Sequence, residues 1–277
     1  MPLRPYLSRV PYCGGTGICR FDDLPMTEDA RRPASERCPN PRSVAVFLFP
    51  YLVRDETPRN LSLYACGPDY HTVIGVALEP LCAQLRQDFP DNTFVILSDA
   101  SPLPEVQAAW ISGAGILGSN GLIFDRTYGS FVFIGTILTD LECTPTPSAQ
   151  ERCPDCGLCR RSCPSGALDT DGRVACTRCL SDVTQSKQDL TEEQEEELSE
   201  HPLIWGCDTC SLVCPLNRGV PETPNPAFHE GRLTALAGDD VDGLTRKQFL
   251  ARYPDRAFTW RGPKPLQRNL KLKQSDH

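Results

Sequence analysis

The chain has 277 residues and 40% hydrophobic content, enough for one large or two modest domains with a real core, which excludes collagen-like, coiled-coil and disordered readings. No apolar run approaches the roughly 20 residues a membrane helix needs, and the N-terminal MPLRPYLSRVPYCGGTG lacks the continuous apolar stretch of a secretory signal, so a cytoplasmic protein is expected. The net charge of -8 argues against a broad nucleic-acid-binding surface, because phosphate contacts need clustered Lys and Arg; a local basic patch is compatible with it.

The first half reads as α/β. Residues 43 to 51, SVAVFLFPY, form a nearly continuous apolar run of strand length, and FVIL at 94 to 97 forms another. Between them, Thr72 to Phe89 places Val73, Val76, Ala77, Leu81 and Leu85 at helical spacing, which predicts a βαβ unit. LPEVQAAW then reads as a helix, and LIF and SFVFIGTIL as strands around the turn DRTYGS. Buried strands of this kind imply a sheet covered on both faces. ECTPTPSAQERC interrupts the pattern and marks a boundary. Further on, DLTEEQEEELSE predicts a solvated helix, with Thr191 and Gln194 in capping-box spacing. Residues 215 to 243 look loop-like. The expected organisation is an α/β (α+β) chain with a cofactor or substrate domain at 1–145, a cysteine-rich domain at 146–220 and a loop-rich basic extension at 221–277.

Fifteen cysteines are far above ordinary usage, and metal binding explains them better than disulfides in a chain without a signal sequence. Cys13, Cys19, Cys38, Cys66, Cys82 and Cys143 are scattered and read as buried apolar residues. The rest crowd together. Cys153-x2-Cys156-x2-Cys159-x3-Cys163-Pro164 has the spacing of the bacterial ferredoxin run, in which the cysteine before proline serves a second cluster. Cys179 and Cys207-x2-Cys210-x3-Cys214-Pro215 form a broken copy. The reading is two 4Fe-4S clusters, one on Cys153, Cys156, Cys159 and Cys214, the other on Cys163, Cys179, Cys207 and Cys210. A pair of zinc sites is the alternative, since four thiolates also suit tetrahedral zinc, but two runs ending in Cys-Pro favour iron and sulfur. Cys176, three residues before Cys179, is a candidate replacement ligand. Two clusters make a one-electron wire, and the preceding α/β domain points to a second cofactor or a substrate pocket.

LSLYACGPDYHTVIGVALEPL, FVILSDASPLPEVQA and GAGILGSNGLIFDRTYGSFVFIGTILTDL, followed by the cysteine set, together resemble the epoxyqueuosine reductase family over about residues 39 to 217. SDVTQSK, after Cys179, is similar to that family's SYLTQxK segment. The resemblance implies a cobalamin-dependent oxidoreductase with two 4Fe-4S clusters that reduces the epoxide of epoxyqueuosine in tRNA to queuosine, fed by a low-potential donor of ferredoxin or flavodoxin type. It also implies that Asp99 in SDASP is the proton donor over the corrin. Ser62, Asp69, Ile123, Ile134 and Ser186 fall at positions beside the cobalamin, Ile123 and Ile134 through backbone. Asp69-Tyr70-His71 followed by Gly75 is a near-match to the box whose histidine binds cobalt in other corrinoid proteins. Here the glycine is one residue late, so His71 reads as structural.

Full-length members of that family continue into a C-terminal helical-repeat domain that grips tRNA, whereas AFTWRGPKPLQRNLKLKQSDH matches only the entry to it, so a short form is expected. From Thr245 to His277 compensation is available in Arg246, Lys247, Arg252, Arg256, Arg261, Lys264, Arg268, Lys271 and Lys273, set against Asp255 and Asp276 alone. Two other functions fit the same residues: a corrinoid reductase of a different small molecule, and an electron-transfer iron-sulfur protein without its own substrate.

Overall fold

The structure, a computed structural model, describes residues 3–54, 58–99, 101–170 and 173–274. The chain divides into two units built from discontinuous segments: Met1–Tyr51, Tyr70–Asp155 and Gly219–Asn225 in the first, Leu52–Asp69, Cys156–Arg218 and Pro226–His277 in the second.

The first unit comprises α1 (Arg4–Leu7), β1 (Thr16–Arg20), α2 (Glu28–Arg37), β2 (Ser43–Pro50), α3 (Tyr70–Asp88), β3 (Phe94–Ser98), α4 (Glu105–Ile111), β4 (Ile116–Leu117), β5 (Ile123–Phe124) and β6 (Val132–Thr139). Its main sheet has the order β1-β2-β6-β3, and every neighbouring pair is antiparallel. The expected βαβ unit is therefore present in split form: β2 and β3 run parallel and are joined by α3, but β6 lies between them.

All of β2 is buried because its alternate side chains serve two cores. Val44, Val46 and Leu48 pack with Ala108 and Ala109 of α4, while Ala45, Phe47 and Phe49 pack with Ile74, Leu78 and Leu85 of α3. An apolar run without alternation is what a strand covered on both faces requires. Gly135 of β6 lets α3 close onto the sheet: a Cβ there would stand 2.7 Å from Ile74 and 2.8 Å from Phe49. That close approach seats the first turn of α3 at the end of β3.

The proline-rich segment read as a boundary also works within this unit. Thr146 donates its N–H to the Ile18 carbonyl at 2.9 Å, and its Oγ1 accepts from the Ile18 N–H at 3.0 Å, which covers part of the edge of β1. Five of the six scattered cysteines are buried and Cys13 is half-buried. Burial pushes the thiols of Cys13, Cys19 and Cys82 up to about 12 and that of Cys38 to about 11, which leaves them protonated at neutral pH.

The second unit comprises α5 (Leu158–Arg161), α6 (Leu180–Val183), α7 (Glu192–Glu200), α8 (Thr209–Leu212), α9 (Gly238–Val241), α10 (Arg246–Arg252) and α11 (Lys264–Gln274). The predicted capping box closes α7, with Thr191 and Gln194 bonded reciprocally. Residues 221 to 277, expected to be loop-rich, instead contain three helices. Prolines and glycines keep those helices short, but Val241, Phe249, Phe258, Leu266 and Leu270 join Leu61, Ile204 and Trp205 in a core. Fully buried Asn269 donates to the carbonyls of Thr184 at 2.8 Å and Ile204 at 2.7 Å.

The basic residues of this stretch do not form one free patch. Arg256 donates to the Cys66 and Gly67 carbonyls at 3.2 and 2.9 Å, and Arg268 to those of Ser186, Gln188 and Val183 at 3.0, 3.0 and 3.1 Å. Lys273 donates to the carbonyls of Leu198, Ser199 and His201 at the C-terminal end of α7, and Arg252 pairs with Asp240 at 2.9 Å. Burial holds Arg256 and Arg268 below their ordinary range. Asp276 lies outside the described residues. Among the described residues no helix is long and apolar enough to cross a membrane.

Candidate cluster and acid sites

The two Cys-Pro runs of the second unit fold alike. In the first, Cys163 donates its N–H to the Arg160 carbonyl at 3.3 Å and accepts from the Gly166 N–H at 3.2 Å; in the second, Cys214 donates to the Ser211 carbonyl at 3.2 Å and accepts from the Asn217 N–H at 3.0 Å. Each run carries the cysteine before its Cys-Pro pair, Cys159 or Cys210, on a four-residue helix, and these helices, α5 and α8, pack together. Gly157 opens α5 with φ +73°, a conformation glycine adopts without strain. The position matching Cys153 in the second run is Ile204, and Cys179 is the cysteine available in its place.

The sulfurs of Cys163, Cys179 and Cys207 share one neighbourhood. Burial pushes up the thiols of Cys179 and Cys207, and the like charge of the other sulfurs adds to it, Cys207 and Cys163 acting on Cys179 and Cys163 on Cys207. Cys176 is exposed and its sulfur lies 3.7 Å from the Val174 carbonyl. Cys156 is exposed, and Cys159, Cys210 and Cys214 are half-buried. Sulfurs that burial holds in the thiol form, gathered in one neighbourhood, are the donors that cationic iron would deprotonate and bind, so this donor set fits an iron-sulfur cluster. Among the described residues no three His, Cys, Asp or Glu side chains converge on a single metal ion. A cluster spreads its four thiolates over several irons and needs no such convergence.

Cys153 belongs to the last residues of the first unit. Its sulfur accepts from the Ser119 N–H at 3.2 Å and lies 3.2 Å from the Ser119 hydroxyl. Burial acts to raise this thiol, but the Ser119 hydroxyl and the amides of Asp155 and Ser119 outweigh it and hold the thiol below its ordinary range.

The acid site of the first unit forms where β3 stops. The β3–β6 ladder runs to the pair Ser98–Gly135, and the next pair in register would be Asp99–Ile134. It does not form, because Asp99 turns into the left-handed region with φ 47°. The Asp99 side chain is 62% exposed. The Tyr70 hydroxyl donates to its Oδ2, and His71 Nε2 lies 3.7 Å from the same oxygen. Tyr70 is itself fixed between the rings of His71 and Phe133, each with its centroid 4.2 Å away. The Asp99 N–H donates to Glu105 Oε2 at 3.1 Å. Burial, with the Asp99 carboxylate adding to it, pushes Glu105 up to about 7, against the opposing pull of the Ser101 hydroxyl, the Asp99 amide and His71.

Ile134 stands one residue before Gly135, at the point where the β3–β6 ladder stops, and is half-buried, whereas the Ile123 side chain is buried in the core beside α4. Ser62, Asp69 and Ser186 belong to the second unit. Ser62 is fully buried and its hydroxyl donates to Asp208 Oδ1 at 2.5 Å. Asp208, next to Cys207, also accepts from Arg59 at 2.6 Å and from the Leu63 N–H at 3.0 Å. Ser62 therefore steadies the loop that carries Cys207 and Cys210. Asp69 donates its N–H to the Asp255 carbonyl at 3.2 Å, and the Ser186 hydroxyl accepts from the Gln188 N–H at 3.1 Å. Sequence reasoning passed over Tyr70, Glu105 and Ser119. Tyr70 stands inside GPDYH and Glu105 is the acid that opens α4, so both had a signal; Ser119 had none.

Residues 31–100 match a family model described as "Epoxyqueuosine reductase QueG, DUF1730", and residues 152–217 match a "4Fe-4S double cluster binding domain". Among curated proteins, an epoxyqueuosine reductase of Lactococcus garvieae is 34% identical over 210 residues, covering 74% of this chain and 58% of that protein. One of Listeria monocytogenes is 35% identical over 209 residues, covering 73% and 53%. The chain thus spans little more than half the length of these relatives. Among solved structures, epoxyqueuosine reductase of Bacillus subtilis, with its catalytic aspartate loop swung out of the active site, superimposes with a TM-score of 0.80 at 25% identity, covering 99% of this chain and 80% of that one. An epoxyqueuosine reductase bound to an epoxyqueuosine-modified tRNA-Tyr stem loop gives a TM-score of 0.81 at 24% identity, with the same coverage. With its motifs, its cysteine-rich lobe and these relatives in agreement, the chain belongs to the epoxyqueuosine reductase family and carries a double 4Fe-4S cluster domain at residues 152–217.

Proposed function

We propose that this chain reduces the epoxide of epoxyqueuosine in tRNA to the alkene of queuosine, using two 4Fe-4S clusters and cobalamin, with Asp99 as the acid. The observation that carries the reading is the exposed Asp99 carboxyl, held by Tyr70 and His71 at a broken strand end, in the same chain as a double-cluster domain. The Bacillus subtilis relative also carries its catalytic loop on an aspartate.

Removing the epoxide oxygen breaks two C–O bonds, forms a C=C bond and releases water, which takes two electrons and two protons. The bound clusters and cobalamin supply the electrons, drawn one at a time from a low-potential ferredoxin- or flavodoxin-type donor. Asp99 gives a proton to the departing oxygen, a role for which an exposed carboxyl at the end of a rigid strand is suited. His71, whose Nε2 lies 3.7 Å from the same Asp99 oxygen, is placed to return the proton from solvent. The thiolates of Cys153, Cys156, Cys159 and Cys214 hold one cluster, and those of Cys163, Cys179, Cys207 and Cys210 the other. Ile134, with its strand edge freed by the turn at Asp99, is the cofactor-facing candidate the fold supports; Ile123, its side chain buried in the core, would serve through its backbone, Asp69 and Ser186 are candidates through the resemblance alone, and Ser62 acts through Asp208. The tRNA reading draws on the relative solved with a modified stem loop, and exposed Lys247 and Lys264 are the side chains of the basic stretch suited to phosphate.

The test is anaerobic purification with iron, sulfide and cobalamin assayed together, followed by turnover on an epoxyqueuosine stem-loop RNA. About eight irons, one corrin and an RNA product lighter by one oxygen are expected. Clusters without corrin would favour the electron-transfer reading. Corrin without RNA turnover would favour a smaller substrate.

A further inference from the structure

A buried carboxylate beside the acid has no part in the chemistry above. Glu105 sits at the start of α4 with Oε2 on the Asp99 N–H at 3.1 Å, while Oε1 is buried without a hydrogen-bond partner among the described residues. Asp99 adopts φ 47°, a conformation that non-glycine residues hold only when their surroundings impose it. The side-chain contacts of Asp99, with Tyr70 and His71, depend on that turn, and nothing in β3 dictates it, since the ladder has already ended at Ser98.

We propose that Glu105 is a positioning residue for Asp99, its buried carboxylate holding the Asp99 N–H and thereby the left-handed turn that aims the Asp99 carboxyl at Tyr70 and His71. The catalytic consequence rests on Asp99 being the acid; the clamp itself is independent of that reading. An ionised acceptor makes the stronger hydrogen bond, so protonating Glu105 loosens the turn. The groups that face Glu105 are the Asp99 carboxylate, which raises it, and the Ser101 hydroxyl, the Asp99 amide and His71, which lower it; the Tyr70 hydroxyl bonds the Asp99 carboxylate beside it. With Glu105 near 7, the clamp tightens across neutral pH.

The test measures hydrogen exchange of the Asp99 amide, corrected for intrinsic rate, on anaerobic cluster-loaded protein without substrate. In the wild type, protection rises as pH increases through about 7. Glu105→Gln keeps an acceptor that cannot ionise, so protection is intermediate and the pH step is gone. Glu105→Ala lowers protection about tenfold or more. Unchanged protection in Glu105→Ala overturns the proposal. So does a pH step that survives in Glu105→Gln, which assigns it to His71 and which decides the matter alone should the alanine variant fail to fold. The kcat on a modified stem-loop RNA separates the two readings: it falls with protection in Glu105→Ala if Asp99 is the acid, and stays unchanged if the clamp exists but Asp99 is not.

Discussion

The two units of the chain hold their shapes by different physics. In the first, two eight-residue strands lie in a sheet with helices over both faces, and the apolar pattern alone accounts for the burial of β2. In the second, α5, α6, α8 and α9 have four residues each, far below the length at which a helix sustains itself. Its main apolar cluster draws on Leu61, Trp205 and the C-terminal helices, and among the described residues 156 to 183 only Ala167, Leu180 and Val183 are buried apolar side chains, outside that cluster. The cysteine-bearing turns are thus ordered largely by local hydrogen bonds and by whatever the thiolates bind. The difference predicts where the chain yields first. Chelating the iron is expected to abolish activity and to open amide exchange across residues 156–179 and 207–217, while β2 and β6 stay protected. Cys163→Ala should lower iron from about eight to about four per chain. Equal loss of protection in β2 would break the comparison.

The next effect reverses the roles, because the proposed acid sits in the rigid unit. Asp99→Asn should lower turnover by about 10² to 10⁴, or roughly 3 to 5 kcal/mol of barrier, with iron and corrin content and the protection of β6 unchanged. Single-turnover kinetics after prior reduction would check it. Turnover within about threefold of wild type would exclude Asp99 as the acid.

The same contrast governs what the sequence reveals. SVAVFLFPY and the helical spacing after Thr72 announce β2 and α3, because burial on both faces of a sheet writes itself as apolar runs. The insertion of β6 between β2 and β3 is invisible, since strand order depends on long-range pairing that no local pattern encodes. β1 and α2 were likewise hidden: TGICR mixes small and polar residues, and α2 has a strongly polar sequence, EDARRPASER, with one buried residue. In the second unit the cysteine spacing exposes the cluster domain at once, but the helices after Pro226 are masked by prolines and glycines. The acid site was half legible. Asp99 stands out by family resemblance, whereas its partners Tyr70 and Glu105 come together only through the packing of α3 and α4 at the end of β3.

Two smaller effects probe the first unit. The folded-state value of Glu105 lies near 7 against an ordinary 4.5, so between those values the folded chain binds a proton that the unfolded chain has released. Stability conferred through this group therefore falls as pH rises from about 4.5 to 7 and stays low above it. Glu105→Gln should be more stable than wild type at pH 8, by up to roughly 3 kcal/mol, and close to it at pH 4.5, as read from urea unfolding. That sign opposes the tighter clamp of the ionised form, so the site gives up stability for geometry. Gly135→Ala places a Cβ within 2.8 Å of both Ile74 and Phe49 and should cost about 1 to 3 kcal/mol, again by urea unfolding.

The smallest effect belongs to α7 and sharpens the comparison within the second unit. Thr191 Oγ1 accepts from the Gln194 N–H at 3.2 Å and Gln194 Oε1 accepts from the Thr191 N–H at 3.0 Å, while Gln194 Nε2 reaches the Thr177 carbonyl at 3.0 Å, two residues before Cys179. The cap therefore touches the cysteine-bearing turn. The far end of the helix is held independently, by buried Leu198 and by Lys273 on its last carbonyls. Thr191→Ala should cost about 1 kcal/mol, and the loss should appear as faster exchange in α7 with none in β2. Because Leu198 and Lys273 need no metal, the same increment should persist after the iron is chelated. If it vanishes in the chelated protein, α7 depends on the clusters for its order, and the metal-dependent part of the second unit extends to residue 200.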